Sequence, residues 1–302
     1  MKRQRNRALL CALCLLLCGV MTGCSDGSGA DTVTIIDGDF AEMKFFTQVA
    51  RIMIENRTSL KVKVQDSMAS GLAFEQIKAG KMDIYMSYDG SLLTAYLGED
   101  PADVPEGMTL FDYASQQGQE KANVMLTPAL GEENTYVVAV NRNVAEQYDL
   151  HCISDLQSCA SSLVFGAEHE FFDEGSTHYE ALVDYYGLSF GDSTTIDRGL
   201  KYLGMSLGNM DATVVYTTDG LNLRFDLALL EDDRNFFPEY NGAYLIRADL
   251  YEDYPELETV FDSLAGKFSN EICTELNYRI DVKNENPYDV AYEFLEENGF
   301  LE

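Results

Sequence analysis

An α/β protein of two lobes is the fold class this sequence predicts, and three observations predict it. From Thr32 to Gly90, short β-branched runs alternate with stretches of helical period, the pattern of strand–helix–strand units on a mostly parallel sheet. A second α/β set occupies residues 137–242. Two strong strands, "NTYVVAVNRN" (134–143) and "GAYLIRADL" (242–250), stand where one set gives way to the other. The chain therefore crosses twice. Lobe 1 takes residues 32–136 and 243–302, lobe 2 takes residues 137–242, and a cleft between lobes is a favoured place for a ligand.

The elements follow in order. "TVTIIDGDF" (32–40) is a strand that leaves through a turn, and "AEMKFFTQVARIMIENRT" (41–58) repeats apolar residues at helical spacing. "LKVKVQD" (60–66) alternates like a strand. "SGLAFEQIKAGK" (70–81) is a helix opened by Ser70 and Gly71, and "MDIYMSYDG" (82–90) is a further strand. Residues 98–133 read as a loop region. Beyond the first strong strand come "LVFGAEHEF", "HYEALVDYYGL", "RGLKYLGMSLGNM", "DATVVYTTDG" and "LALLEDD", the second α/β set. After the second strong strand the chain ends in three helices, "PELETVFDSLAGK", "SNEICTELNYRI" and "PYDVAYEFLEENGF". There is no internal repeat and no low-complexity segment.

The start of the chain reads as an export signal. A basic opening (Lys2, Arg3, Arg5, Arg7) precedes about fourteen apolar residues, fewer than the ~20 that span a bilayer. The run ends at "MTGC", after which "SDGSGAD" is small and polar. "MTGC" resembles the lipobox of bacterial lipoproteins. That resemblance makes residues 1–23 a signal peptide, Cys24 the lipidated residue and residues 24–31 a tether.

Charge narrows the partners. Asp and Glu number 51 against 21 Lys and Arg, and the signal holds four of those basic residues and no acidic one. Such a surface repels nucleic acid and anionic headgroups and favours the approach of cations. A hydrophobic fraction of 46% argues against disorder. Cys11, Cys14 and Cys18 leave with the signal, and three histidines with no C-x-x-C pair in the remainder disfavour a structural metal site. An oxidising exterior permits a Cys152–Cys159 bridge, which spacing alone does not decide. "HEFFD" (169–173) departs from the H-E-x-x-H of zinc proteases and reads as a surface or hinge segment. An enzyme is not expected, and neither is a cofactor.

Four longer stretches carry a resemblance across residues 32–302: "SGLAFEQIKAGKMDIYMSYDGSLLT", "NTYVVAVNRNVAEQYDLHCISDL", "TTDGLNLRFDLALLEDDRNFFPEY" and "LAGKFSNEICTELNYRIDV". In the same order, they resemble the substrate-binding lipoproteins of osmoprotectant ABC importers, which bind glycine betaine, choline, carnitine and related quaternary amines. The resemblance implies a two-lobed fold of the type II periplasmic-binding-protein kind. The partners it implies are an ABC permease and its ATPase. The place it implies is the extracellular face of the cytoplasmic membrane, with Cys24 as anchor.

A quaternary ammonium has no N–H to donate, so its recognition falls to aromatic faces. The chain has no tryptophan, and 18 tyrosines and 16 phenylalanines remain. The family's cage is built from tyrosines, and the resemblance maps three of them onto Tyr136 in "NTY", Tyr216 in "VVYTTDG" and Tyr240 in "FFPEY". A fourth aromatic falls in a stretch of uneven length and maps to Phe111, with Tyr113 as the alternative. Asp89 in "YDGS" matches choline-selective members, where a carboxylate would accept a hydroxyl proton and repel a second carboxylate; its other reading is a turn cap. Met43 stands where the family often has a glutamine that reaches the ligand's polar group, and Asn134 is a second polar candidate. Choline is therefore the expected ligand. Glycine betaine, carnitine or another methylated amine is the alternative, and a surface lipoprotein without a transport role the distant one.

Overall fold

The computed structural model describes residues 32–173, 177–197 and 200–301. The signal, the tether and the proposed lipid site Cys24 lie outside them. Ten strands form two five-stranded sheets. They are β1 (Thr32–Ile36), β2 (Lys61–Gln65), β3 (Ile84–Tyr88), β4 (Val124–Leu126), β5 (Tyr136–Asn141), β6 (Val164–Ala167), β7 (Asp192–Thr195), β8 (Ala212–Tyr216), β9 (Leu227–Leu229) and β10 (Gly242–Arg247). The first sheet has the order β2-β1-β3-β10-β4 and the second β7-β6-β8-β5-β9.

The helices are α1 (Ala41–Arg57), α2 (Ser70–Lys78), α3 (Leu110–Ala122), α4 (Arg142–Tyr148), α5 (Tyr179–Tyr186) and α6 (Lys201–Ser206), then α7 (Leu221–Arg224), α8 (Leu250–Asp253), α9 (Glu256–Asp262), α10 (Asn270–Asp281) and α11 (Pro287–Glu297). None of them is long and apolar enough to cross a membrane.

The expectation of mostly parallel sheets needs one amendment, and it is the same in both lobes. β1 and β3 are parallel, as are β6, β7 and β8. The two strong strands run against their neighbours: β5 is antiparallel to β8 and β9, and β10 to β3 and β4. Each is inserted between two strands of its sheet directly from the other lobe, without the helical crossover a parallel strand needs.

The stretch read as a loop, residues 98–133, holds α3 and β4. Thr109 caps α3 by accepting from Asp112 N at 3.0 Å, and the helix ends at Asn123 in the left-handed region. "LFDYASQQGQEKA" buries only Ala114, Gln117, Gly118 and Ala122, so no large apolar stripe marks it, and β4 is three residues long.

Burial explains α1. Phe45, Phe46, Val49, Ala50, Met53 and Ile54 lie against the first sheet, and the rings of Phe45, Phe46 and Phe268 meet edge to face at 4.9–6.0 Å. Each of these side chains larger than alanine contributes about 1.5–3 kcal/mol when removed from water. The second sheet is packed on both faces, by Phe165, Leu182 and Tyr186 in one cluster and by Tyr202, Met205 and Met210 in another. Cys152, Cys159 and Cys273 are free thiols.

Candidate functional site

The second sheet begins its crossover with a pair of tyrosines. Tyr136 opens β5, Tyr216 closes β8, and the antiparallel register sets them opposite each other. Their rings stack with centroids 4.9 Å apart and planes 21° apart, and Tyr216 Oη donates to Tyr136 Oη at 3.3 Å. Phe171 meets Tyr136 edge-on at 5.8 Å, and Phe237 stands at 6.0 Å. A cavity of about 440 Å³ opens here, with Tyr136, Tyr216, Phe171, His178, Lys201 and Glu168 among its walls. Lys201 is buried, and its Nζ donates to Glu168 Oε1 at 2.8 Å and to the Val214 carbonyl at 2.9 Å. The one cationic group named in this wall is therefore matched by a carboxylate.

Tyr240 comes from the other side of the crossover. Its ring packs on Gly90 so closely that a Cβ there would lie 2.8 Å from it. Burial raises its phenol, with smaller contributions from Asp89 and Tyr216, which places its hydroxyl within electrostatic reach of both. It does not line the 440 Å³ cavity.

Asp89 is fully buried. Its Oδ1 accepts from Gly90 N at 2.6 Å and Asn241 N at 2.9 Å, and its Oδ2 accepts from Asn241 Nδ2 at 2.9 Å. Burial raises its pKa from 3.8 to about 6, against the pull of those three bonds. The carboxylate thus ties the end of β3 to the residue that precedes β10, and from Gly90 the chain runs into a π-helical turn, Ser91–Tyr96. Asn134 donates to Glu42 Oε1 at 2.9 Å and to Tyr88 Oη at 3.3 Å. Met43 is buried in the core of the first lobe.

Phe111 is not brought to the tyrosines. It sits in the first turn of α3 and lines a separate cavity with Met125, Pro128, Tyr251 and Glu258, sharing no wall with the tyrosine cavity. Its alternative, Tyr113, packs partly buried on the first core. The cause is the helix that the sequence reading placed in a loop: Thr109 starts α3 and fixes both rings on the first lobe.

Four residues of this region escaped the sequence reading. Phe171 lies in "HEFFD", a stretch that reads as surface or hinge. Lys201 and Glu168 carry no motif. Glu42 was one carboxylate among 51 Asp and Glu. A match to G-x-S-x-G also escaped the sequence reading: residues 204–208 spell Gly-Met-Ser-Leu-Gly. Ser206 ends a helix, is exposed and donates to the Leu203 carbonyl at 2.9 Å, so it lacks the strand-to-helix elbow that activates such a serine. Among the described residues no group of three or more His, Cys, Asp or Glu is placed to hold a metal ion.

What the walls offer is aromatic face, with the Lys201 charge matched by Glu168. Comparison with known proteins gives the same direction. The family described as the substrate-binding domain of an ABC-type glycine betaine transport system matches residues 31–297. The carnitine transport binding protein OpuCC of Listeria monocytogenes is 30% identical over 307 residues, covering 99% of each chain. The glycine-betaine-binding protein of Pseudomonas aeruginosa is 28% identical, covering 97% of this chain and 96% of that one. A crystal structure described as a glycine betaine/carnitine/choline ABC transporter superposes with a TM-score of 0.83 at 28% identity, over 89% of this chain and 100% of that one.

Proposed function

The chain belongs to the family of substrate-binding domains of ABC-type glycine betaine transport systems, and from that premise we propose that it receives a quaternary ammonium compound, choline foremost, on the aromatic surface of Tyr136, Tyr216 and Tyr240. It is a solute-binding protein of an ABC importer and not an enzyme. The observation that carries the ligand reading is the Tyr136–Tyr216 stack at 4.9 Å beside a cavity of about 440 Å³. A methylated cation presents no N–H and a diffuse charge, and each ring face it meets contributes about 0.5–2 kcal/mol when water is excluded.

Choline is favoured over a zwitterion by the surrounding charge. Glu133 is raised by burial and by the nearby charges of Glu239, Asp89 and Asp232, so acids crowd this side of the crossover. A net cation is attracted by that field, whereas a second carboxylate is repelled. Asp89, fully buried, adds its charge to that field. A second reading, glycine betaine or carnitine, is favoured by the same staple: a carboxylate already held by Asn241 and Gly90 discriminates less. In either case the lipid on Cys24 would hold the receptor at the outer face of the cytoplasmic membrane, beside its permease and ATPase.

Calorimetric titration of the chain from residue 25 with choline, glycine betaine and carnitine tests this. Tight choline and weak betaine are expected. Tight betaine or carnitine would move the ligand to the second reading, and heat from none of the three would refute both.

A further inference from the structure

Two carboxyl groups share the interior between the first sheet and the helices that cover it, and they are held unequally. Glu42, in the first turn of α1, is 1% exposed and accepts three hydrogen bonds. Tyr88 Oη at 2.6 Å and Asn134 Nδ2 at 2.9 Å donate to its Oε1, and Asn277 Nδ2 at 3.0 Å donates to its Oε2. Glu132 is 0% exposed, and neither of its oxygens has a hydrogen-bond partner among the described residues. Its carboxyl fills the niche that Gly242 leaves: a Cβ on Gly242 would overlap Glu132 Oε1 and stand 2.9 Å from Met86 Cε.

Among the described residues, the titratable groups that interact electrostatically with Glu132 are Glu42 from α1, Tyr88 from β3, Tyr244 from β10 and Cys273 from α10, and none of these is basic. An ionised carboxylate buried without donor or countercharge costs several kcal/mol even after relaxation. Glu42 has the donors that offset this cost, and Glu132 has none. A proton on Glu132 removes the charge and turns one oxygen into a donor.

We infer that Glu132 is a neutral carboxylic acid at neutral pH, and that its proton holds the first crossover in place. The inference stands whatever the ligand is. Burial, reinforced by the charge of Glu42, raises Glu132 well above the usual carboxylate range. Residues 132–134 are stitched on every side. The Glu132 carbonyl accepts from Gly242 N at 3.2 Å, and Asn134 N donates to the Tyr240 carbonyl at 2.9 Å. The Glu133 carbonyl accepts from Thr217 Oγ1 at 2.5 Å and Asn270 Nδ2 at 3.1 Å. Two residues on, the same segment delivers Tyr136. Losing the proton adds a negative charge to an interior where Glu42 already acts against it, and moving Glu132 out of its niche moves that segment.

The sign follows from linkage. A group whose pKa is raised by folding stabilises fully below its ordinary range, and that stabilisation is lost as pH rises through the raised value. Thermal unfolding of the wild type and of Glu132→Gln, from about pH 5 to about pH 9, reads it directly. Glutamine keeps the shape of the neutral acid without its titration. The wild type is expected to lose several degrees more than the variant as pH rises; parallel slopes would overturn the inference. Should the variant fail to fold, carboxyl ¹³C signals of glutamate-labelled wild type decide. One side-chain signal still in the protonated position at neutral pH supports the inference, and all signals in the ionised position overturn it. A midpoint that climbs with sodium or potassium at fixed ionic strength would also overturn it, by putting a bound cation where the proton is placed.

Discussion

Both sheets receive the crossing chain in the same way, and they use that geometry for opposite ends. In the second sheet the first residue of β5, Tyr136, pairs with the last residue of β8, Tyr216. In the first sheet the first residue of β10, Gly242, pairs with the last residue of β3, Tyr88. A tyrosine closes the neighbouring strand in each case. Where its partner is Tyr136, two rings stack and line a cavity. Where its partner is Gly242, the gap is filled from within by Glu132, and Tyr88 turns its hydroxyl to Glu42. The difference teaches that the register alone does not make an aromatic wall. One lobe leaves aromatic faces open, and the other spends its polar groups on internal bonds.

The largest test of that contrast is Asp89→Ala. It strips the acceptor from Gly90 N, Asn241 N and Asn241 Nδ2, and a loss of about 3 kcal/mol in denaturant unfolding is expected. A change below about 0.5 kcal/mol would mean that the staple is idle. The same residue predicts a pH effect of comparable size. Because folding raises Asp89 to about 6, its stabilisation is complete below the ordinary value of 3.8 and is lost as pH rises through about 6. Unfolding free energy measured over that window should slope downward with pH, less so in Asp89→Asn.

Binding separates the two tyrosine sites next. Tyr216→Ala or Tyr136→Ala is expected to weaken choline by about tenfold, or 1–2 kcal/mol, with the fold retained. Tyr88→Phe should instead cost about 1 kcal/mol of stability through its lost bond to Glu42 and leave affinity alone. A reversal, with Tyr88 governing affinity and Tyr216 silent, would break the comparison. The smallest effect is reserved for Phe111→Ala, which should change choline affinity less than about twofold, since its ring lines a different cavity. A tenfold loss there would return Phe111 to the ligand.

Much of this was legible before any coordinates. β5 and β10 announce themselves as apolar runs because they are interior strands of their sheets, paired on both sides and buried along most of their length. Tyr136 and Tyr216 could be named because the stretches around them carry a family resemblance. Phe111 could not be placed, because α3 is a polar helix whose start is signalled only by Thr109 and Asp112. Asp89 was singled out, but not its partner Asn241, which is 152 positions away in the chain. Glu132 and Glu42 were invisible for a simpler reason: in so acidic a chain nothing local marks two carboxylates that become buried. Their significance comes from what surrounds them, and only tertiary structure supplies that.

The central claim is that the open aromatic wall recognises the positive charge of a methylated amine and not merely its bulk. The most direct measurement is a pair of calorimetric titrations, choline against 3,3-dimethylbutan-1-ol, its neutral carbon isostere. The account predicts that choline binds at least about tenfold more tightly, the scale of one to two desolvated cation–π contacts. Equal affinity for the two would contradict it, leaving a hydrophobic pocket in which the tyrosines contribute area and no electrostatic attraction.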